Sequence, residues 1–199
     1  MSVPPTSQER LTNFINSIAA LDPDILAAFL SIWQEFHAPR KTVLTRPGEK
    51  EKYLYFVTDG IQRAFYRGEN EKEATLMFSY PYSFTGVADS FLLQRSSALY
   101  FETLTKSSFL RTRYTALTEL MTRYHSVEIL IRKAVSAAFA GALERQIELQ
   151  CFTAEQKFRT LLKRSPHVLN LIPHKYLASY LGIDPTTFSK LLGSVRIQD

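Results

Sequence analysis

Cysteine is nearly missing from this chain: Cys151 is the one thiol among 199 residues. A lone thiol excludes an internal disulfide, a cysteine zinc site and a cysteine-ligated iron–sulfur cluster. Long apolar runs are missing as well. The longest, such as Tyr53 to Val57, fall far short of the roughly 20 residues that cross a bilayer, and no basic-then-apolar signal segment opens the chain. No membrane partner is expected, and the expected location is the cytoplasm. The histidines, His37, His125, His167 and His174, are dispersed, so no metal is expected. There is no glycine-rich phosphate loop, no Gly-x-Ser-x-Gly elbow and no Cys/His pair at helical spacing, which argues against an enzyme and against a resident cofactor. The acid pairs Asp22 with Asp24 and Glu71 with Glu73 read as cap and loop residues.

The composition that remains, 45% hydrophobic and 22% charged, is that of an ordinary folded protein with a buried core. The net charge of +5 is uneven: from Thr153 onward seven Lys and Arg stand against three acids. That end of the chain is suited to a polyanion, or to a solvated helix face.

Leu11, Phe14, Ile15 and Ile18 mark one face of a helix. Asp22-Pro23 then caps a second, with the stripe Leu26, Phe29, Leu30 and Trp33, expected to stop near Phe36 ahead of Pro39. From Lys41 to Tyr114 the pattern turns to short β-rich runs: 42–45, 53–57, 61–66, 75–78, 100–104 and 109–114. They are punctuated by Pro47-Gly48, Asp59-Gly60, Gly68-Glu69-Asn70 and Pro81. About six to eight such strands predict a barrel or jelly roll, and Asp59-Gly60 predicts a tight hairpin. Beyond Tyr114 a helix over about 115–150 is predicted. Leu117, Tyr124, Ile131 and Ala138 recur by sevens, as do Leu120, Val127, Ala134 and Gly141, tracing a seam that demands a partner. Either a second copy or the chain's own barrel fits that demand. Thr153-Ala-Glu-Gln156 has capping-box spacing and opens a new helix and a second domain, dividing the chain into 1–152 and 153–199.

The C-terminal run Pro173 to Leu192 carries the sharpest motif. Leu177, Leu181, Phe188 and Leu191 supply a small core, Ala178 is small where two helices cross, and Gly182 permits a left-handed turn. Asp184 caps the second helix and Pro185 takes its first position. This is a helix-turn-helix pattern, whose second helix enters the major groove of double-stranded DNA. Thr186, Thr187, Ser189 and Lys190 are then the base readers, and His174 and Lys175 the phosphate contacts.

A roll of short strands, a long helix and a helix-turn-helix, in that order, resembles the Crp/Fnr family of transcription regulators. The run Ile172-Pro-His-Lys-Tyr-Leu-Ala-Ser-Tyr-Leu-Gly-Ile183 is similar to that of the short members common in Bacteroidetes. The resemblance implies an α+β fold: N-terminal helices and a jelly-roll-like β-roll sensor, a long dimerisation helix, and an all-α helix-turn-helix domain. It also implies a homodimer on a pseudo-palindromic operator, with RNA polymerase as a further partner. In relatives that bind cyclic AMP, a cassette glutamate and arginine hold the ribose and phosphate. Here Val87 stands for that glutamate and Ser96 for that arginine, with Arg95 one residue early. Cyclic AMP is therefore not expected. Gly86, Val87, Arg95, Ser96 and Ser97 are the residues left to meet another effector, whose identity the sequence leaves open. The recognition helix departs too, with Pro185 and Thr186 for the familiar arginine and glutamate, so a different operator is expected. The end at Asp199 is expected to leave no β-hairpin wing. The competing reading is a ligand-binding signalling module whose C-terminal helices dock a protein.

Overall fold

Between Gln34 and Arg113, β-branched and aromatic residues alternate with polar ones, and successive side chains of a strand point to opposite faces. A computed structural model describes residues 5–194; Arg196, and the chain end where a wing was considered, lie outside these. Two helices, α1 (Pro5–Ile18) and α2 (Pro23–Ser31), precede β1 (Gln34–Ala38), β2 (Val43–Thr45), β3 (Tyr53–Asp59), β4 (Gln62–Arg67), β5 (Glu73–Ser79) and β6 (Phe84–Thr85). A short helix α3 (Ala88–Leu93) leads to β7 (Tyr100–Thr103) and β8 (Ser107–Arg113). Then come α4 (Tyr114–Arg123), α5 (His125–Cys151), α6 (Ala154–Arg164), α7 (Val168–Leu171), α8 (His174–Leu181) and α9 (Pro185–Ser194).

The strands form two four-stranded sheets, β1-β8-β3-β6 and β2-β7-β4-β5, paired antiparallel throughout. Apart from β4 and β5, which pair as neighbours in one sheet, successive strands lie in opposite sheets, the jelly-roll arrangement. This corrects the expected Asp59-Gly60 hairpin. Gly60 does take a positive φ of 89°, but β3 and β4 belong to different sheets, so the turn carries the chain across the roll. A Cβ there would stand 2.5 Å from the Lys106 carbonyl oxygen, so the close approach also demands glycine.

Two strands arise where none was expected. The second helix ends at Ser31, not near Phe36, and Gln34 to Ala38 pairs with β8 as an edge strand. Trp33 is still buried, now with its ring parallel to that of Phe84 at 5.6 Å. The second unexpected strand, β6, is only two residues long. The predicted long helix is also divided. Tyr124 is extended, with φ −130° and ψ 105°, and separates α4 from α5.

Three clusters hold the molecule. Leu11, Ile15, Phe29, Phe56, Leu110, Leu117, Val127 and Leu130 join the N-terminal helices, α4 and the start of α5 to the outer face of the β1 sheet. Tyr55, Val57, Ala64, Phe101 and Phe109 fill the space between the sheets. The third cluster unites Phe158, Leu161, Leu162, Leu177, Leu181 and Phe188 with Ile61 and Leu104 of the roll. The C-terminal helices thus share a core with the strands.

Candidate nucleic-acid interface and effector region

The C-terminal unit is built by local signals that the structure satisfies one by one. Thr153 and Gln156 form a reciprocal capping box at the start of α6, the Thr153 amide donating to Gln156 at 2.8 Å and the Gln156 amide to Thr153 at 3.2 Å. Gly182 takes φ 63° and, with Ile183, returns backbone N–H groups to the carbonyls at the end of α8. Asp184 accepts the Thr186 amide at 2.7 Å, and this bond holds its carboxyl below the usual aspartate range. Phe188 is wholly buried and meets Phe158 edge-on at 5.3 Å, fixing α9 across α8 and α6.

With Phe188 turned inward, α9 presents Thr186, Ser189 and Lys190 to solvent, and Thr187 is half-buried. The Ser189 hydroxyl donates to the Pro185 carbonyl at 3.0 Å, leaving its oxygen to accept. Lys190 is exposed on that face and makes no ion pair with any described residue. His174 is exposed but rests its ring 5.4 Å from that of Phe188, and the Lys175 ammonium sits 4.8 Å from the Tyr176 ring. All six expected DNA contacts lie in the helix-turn-helix, on α8 and α9.

No local pattern signals how this unit is held on the roll. Ser179, on α8, donates its hydroxyl to the Glu73 carbonyl at 3.0 Å and accepts the Thr75 amide at 2.9 Å, so α8 covers the open edge of β5. Beneath it, the buried Arg63 guanidinium pairs with Glu73 at 2.7 Å and Glu102 at 2.6 Å and lies 3.7 Å from the Tyr176 ring centre. On the other flank Arg145 of α5 donates to the Tyr180 carbonyl and pairs with Glu148 at 2.7 Å. Glu148 also takes Arg164 at 2.7 Å; burial pushes its carboxyl up, but the two arginines outweigh that and hold it below the usual range.

The expected effector residues cluster on the segment that includes α3. Gly86 takes φ 120° where a Cβ would stand 3.3 Å from the Tyr53 carbonyl, and buried Val87 precedes the helix. A residue that the sequence reading missed occupies the centre of this region. Glu51, 2% exposed, accepts the Thr45 hydroxyl at 2.6 Å and the amides of Lys52, Tyr53 and Val87 at 3.0, 3.3 and 3.4 Å. Burial pushes its carboxyl above the usual range, against these hydrogen bonds. Arg95 does not face this centre with a free charge: it pairs with Asp89 at 2.8 Å on the surface. Ser96 bridges to Lys50, and buried Ser97 closes its own turn with Leu99. Among the described residues, no group of three or more His, Cys, Asp or Glu is arranged to hold a metal, and no helix is long and apolar enough to cross a membrane.

The expected seam needs correction. Leu117, Leu120, Val127 and Ile131 are buried in the chain's own core, and Tyr124 packs against it at the helix break, so the first half of the seam has its partner within the chain. Ala134 is half-buried, while Ala138 and Gly141 are exposed. Exposed large apolar residues of α5 include Val135, Phe139, Leu143 and Ile147, at spacing four, with Phe139 63% exposed, and Leu149 off that stripe. That spacing was readable in the sequence but was masked by the heptads drawn from Leu117.

No family model matches the chain, and no curated protein matches it. Solved structures do. FixK2 from Bradyrhizobium japonicum matches with a TM-score of 0.73 at 16% identity, over 81% of this chain and 83% of that one. CLP, a c-di-GMP-responsive global regulator from Xanthomonas campestris, matches at 0.64 and 18% identity, over 86% and 90%. The catabolite activator protein of Thermus thermophilus matches at 0.56 and 20%, over 92% and 90%. The chain shares the fold of these regulators along most of its length.

Proposed function

We propose that this chain is a homodimeric, sequence-specific DNA-binding transcription regulator of the Crp/Fnr type, acting in the cytoplasm, with an effector region that does not take cyclic AMP. The observation that carries the reading is α9. Its inward face is fixed by Phe188, and its outward face offers Thr186, Ser189 and the exposed Lys190 beside the cationic start of α8. A helix so mounted suits the major groove, with its N-terminal residues at base edges and the preceding helix across the backbone. Residues 153–199 are the DNA-binding unit in this reading, and 1–152 carry the roll and the dimerisation helix.

Dimerisation is assigned to the exposed Val135, Phe139, Leu143 and Ile147 face of α5, with Ala138 and Gly141 allowing close approach. Such a contiguous apolar stripe on an otherwise polar helix marks an association surface. The two-fold axis would set half-sites about 34 Å apart, one helical turn. Glu51 supports the exclusion of cyclic AMP, because its buried carboxyl already takes the Val87 amide that an incoming phosphate would need.

Selection from random double-stranded DNA with the purified protein tests this function. An enriched inverted repeat is expected. An enriched unpaired half-site would overturn the dimer, and no enrichment, with or without cell extract, would favour C-terminal helices that dock a protein.

A further inference from the structure

Two arginines on the strands of the roll are treated very differently. Arg63 has two carboxylates, from Glu73 and Glu102. Arg111, half-buried on β8, has no ion pair with any described residue, and its Nε is buried without a hydrogen-bond partner. Side-chain alternation puts Arg111 on the same face as Phe109, the face that lines the space between the sheets. Its guanidinium carbon lies 4.0 Å from the ring centre of Phe36 and 4.2 Å from that of Tyr53. Those rings come from β1 and β3, the strands on either side of β8, so the guanidinium lies between them.

An unsatisfied buried donor is costly, and a desolvated cation without a counter-charge is costlier still. The acid of this region does not answer it. Glu51 spends its carboxylate on Thr45 and three backbone amides. A second cation, Arg113, stands 5.8 Å from the same Tyr53 ring. The roll therefore holds an aromatic-lined positive charge that lies near the Tyr55 hydroxyl but has no carboxylate partner among the described residues.

We infer that Arg111 anchors a ligand site for a small organic carboxylate, its apolar body lying against Phe36 and Tyr53. The geometry selects the class. Rings on both faces leave the guanidinium only its edge, where a planar carboxylate accepts two parallel N–H bonds in the plane of the slot. A tetrahedral phosphate would put oxygens out of that plane, against the rings. This site adjoins the effector region, since Gly86 lies against Tyr53 and Tyr55, but it uses none of the residues on α3, and the inference does not depend on DNA binding.

The test is calorimetric titration of the full-length protein with sodium benzoate, and in parallel with benzamide and with inorganic phosphate. Benzoate is expected to bind and to raise the melting temperature, and the other two at equal concentration are not. Arg111→Met keeps a stem between the rings but is expected to weaken benzoate by at least about tenfold, the loss of a charge-assisted bidentate pair. Arg111→Lys, which keeps the charge and loses the fork, should fall between. Absence of benzoate binding, or equal binding by the Met variant, would overturn the site. Equal binding of phosphate would overturn the carboxylate class. Should the Met variant fail to fold, the Lys variant and the benzamide comparison decide. A failed DNA selection would leave these titrations untouched, so the two readings fail separately.

Discussion

The hydroxyl of Ser179 donates to the backbone carbonyl of Glu73 at 3.0 Å, joining the first helix of the helix-turn-helix to the edge strand of the roll. The same oxygen accepts the Thr75 amide, so one side chain closes two backbone groups that an edge strand would otherwise leave to water. The position of the recognition helix is thereby tied to β5, and through Arg63 and Glu102 to β4 and β7.

Removing that hydroxyl should loosen the joint. Ser179→Ala leaves the Thr75 amide without its acceptor, at a cost of about 1–3 kcal/mol. Hydrogen exchange at Thr75 should accelerate while exchange in β3 and β8 stays unchanged. Unaltered exchange at Thr75 would show that α8 does not hold β5.

Lys190 is expected to read a base. Lys190→Ala should cost about 1–3 kcal/mol on the selected site and much less on random DNA, measured by fluorescence anisotropy at fixed salt. Equal loss on both would make it a phosphate contact.

The two halves of the predicted seam should separate cleanly. Phe139→Glu, on the exposed stripe, is expected to give monomers in analytical ultracentrifugation with the melting temperature of the monomer fold retained. Leu117→Ala, buried in the core, should destabilise by about 2–5 kcal/mol without a specific effect on self-association. A dimer indifferent to Phe139→Glu would move the interface elsewhere.

Stability at acid pH should depend on Glu148. Its folded-state carboxyl is depressed by Arg145 and Arg164, so the unfolded chain binds the proton more tightly. The pair therefore stabilises above the ordinary glutamate range, and that contribution is lost as pH falls through the depressed value. Glu73, held low by Arg67 and Arg63 against the effect of its burial, adds in the same direction. Urea midpoints between pH 7 and 3 should fall steeply for the native chain and less steeply for Glu148→Gln. Parallel slopes would deny the linkage.

The helix-turn-helix was legible because its signals are local. Gly182, Asp184, Pro185 and Phe188 each act within a few residues of themselves, and the capping box at Thr153 closes within one turn. The Asp59-Gly60 signal was also local, and it told truly of a turn with positive φ. It was silent on which strands the turn would join, because pairing partners are chosen by residues far apart in the chain.

The same division holds for the rest of the molecule. The sequence by itself determined the kind of chain this is: helices, then short strands, then helices, with a basic C-terminal unit folded by its own caps and turns. Tertiary structure alone decided that Glu51 fills the centre of the effector region, that Arg111 lies between two rings without a counter-charge, and that Leu117 faces inward while Phe139 faces out. The physical reason is that caps and turns are satisfied by neighbours in sequence. Burial and charge pairing depend on distances across the roll, and whether a heptad position such as Ile131 or Ala138 is covered depends on how far the rest of the chain extends along the helix.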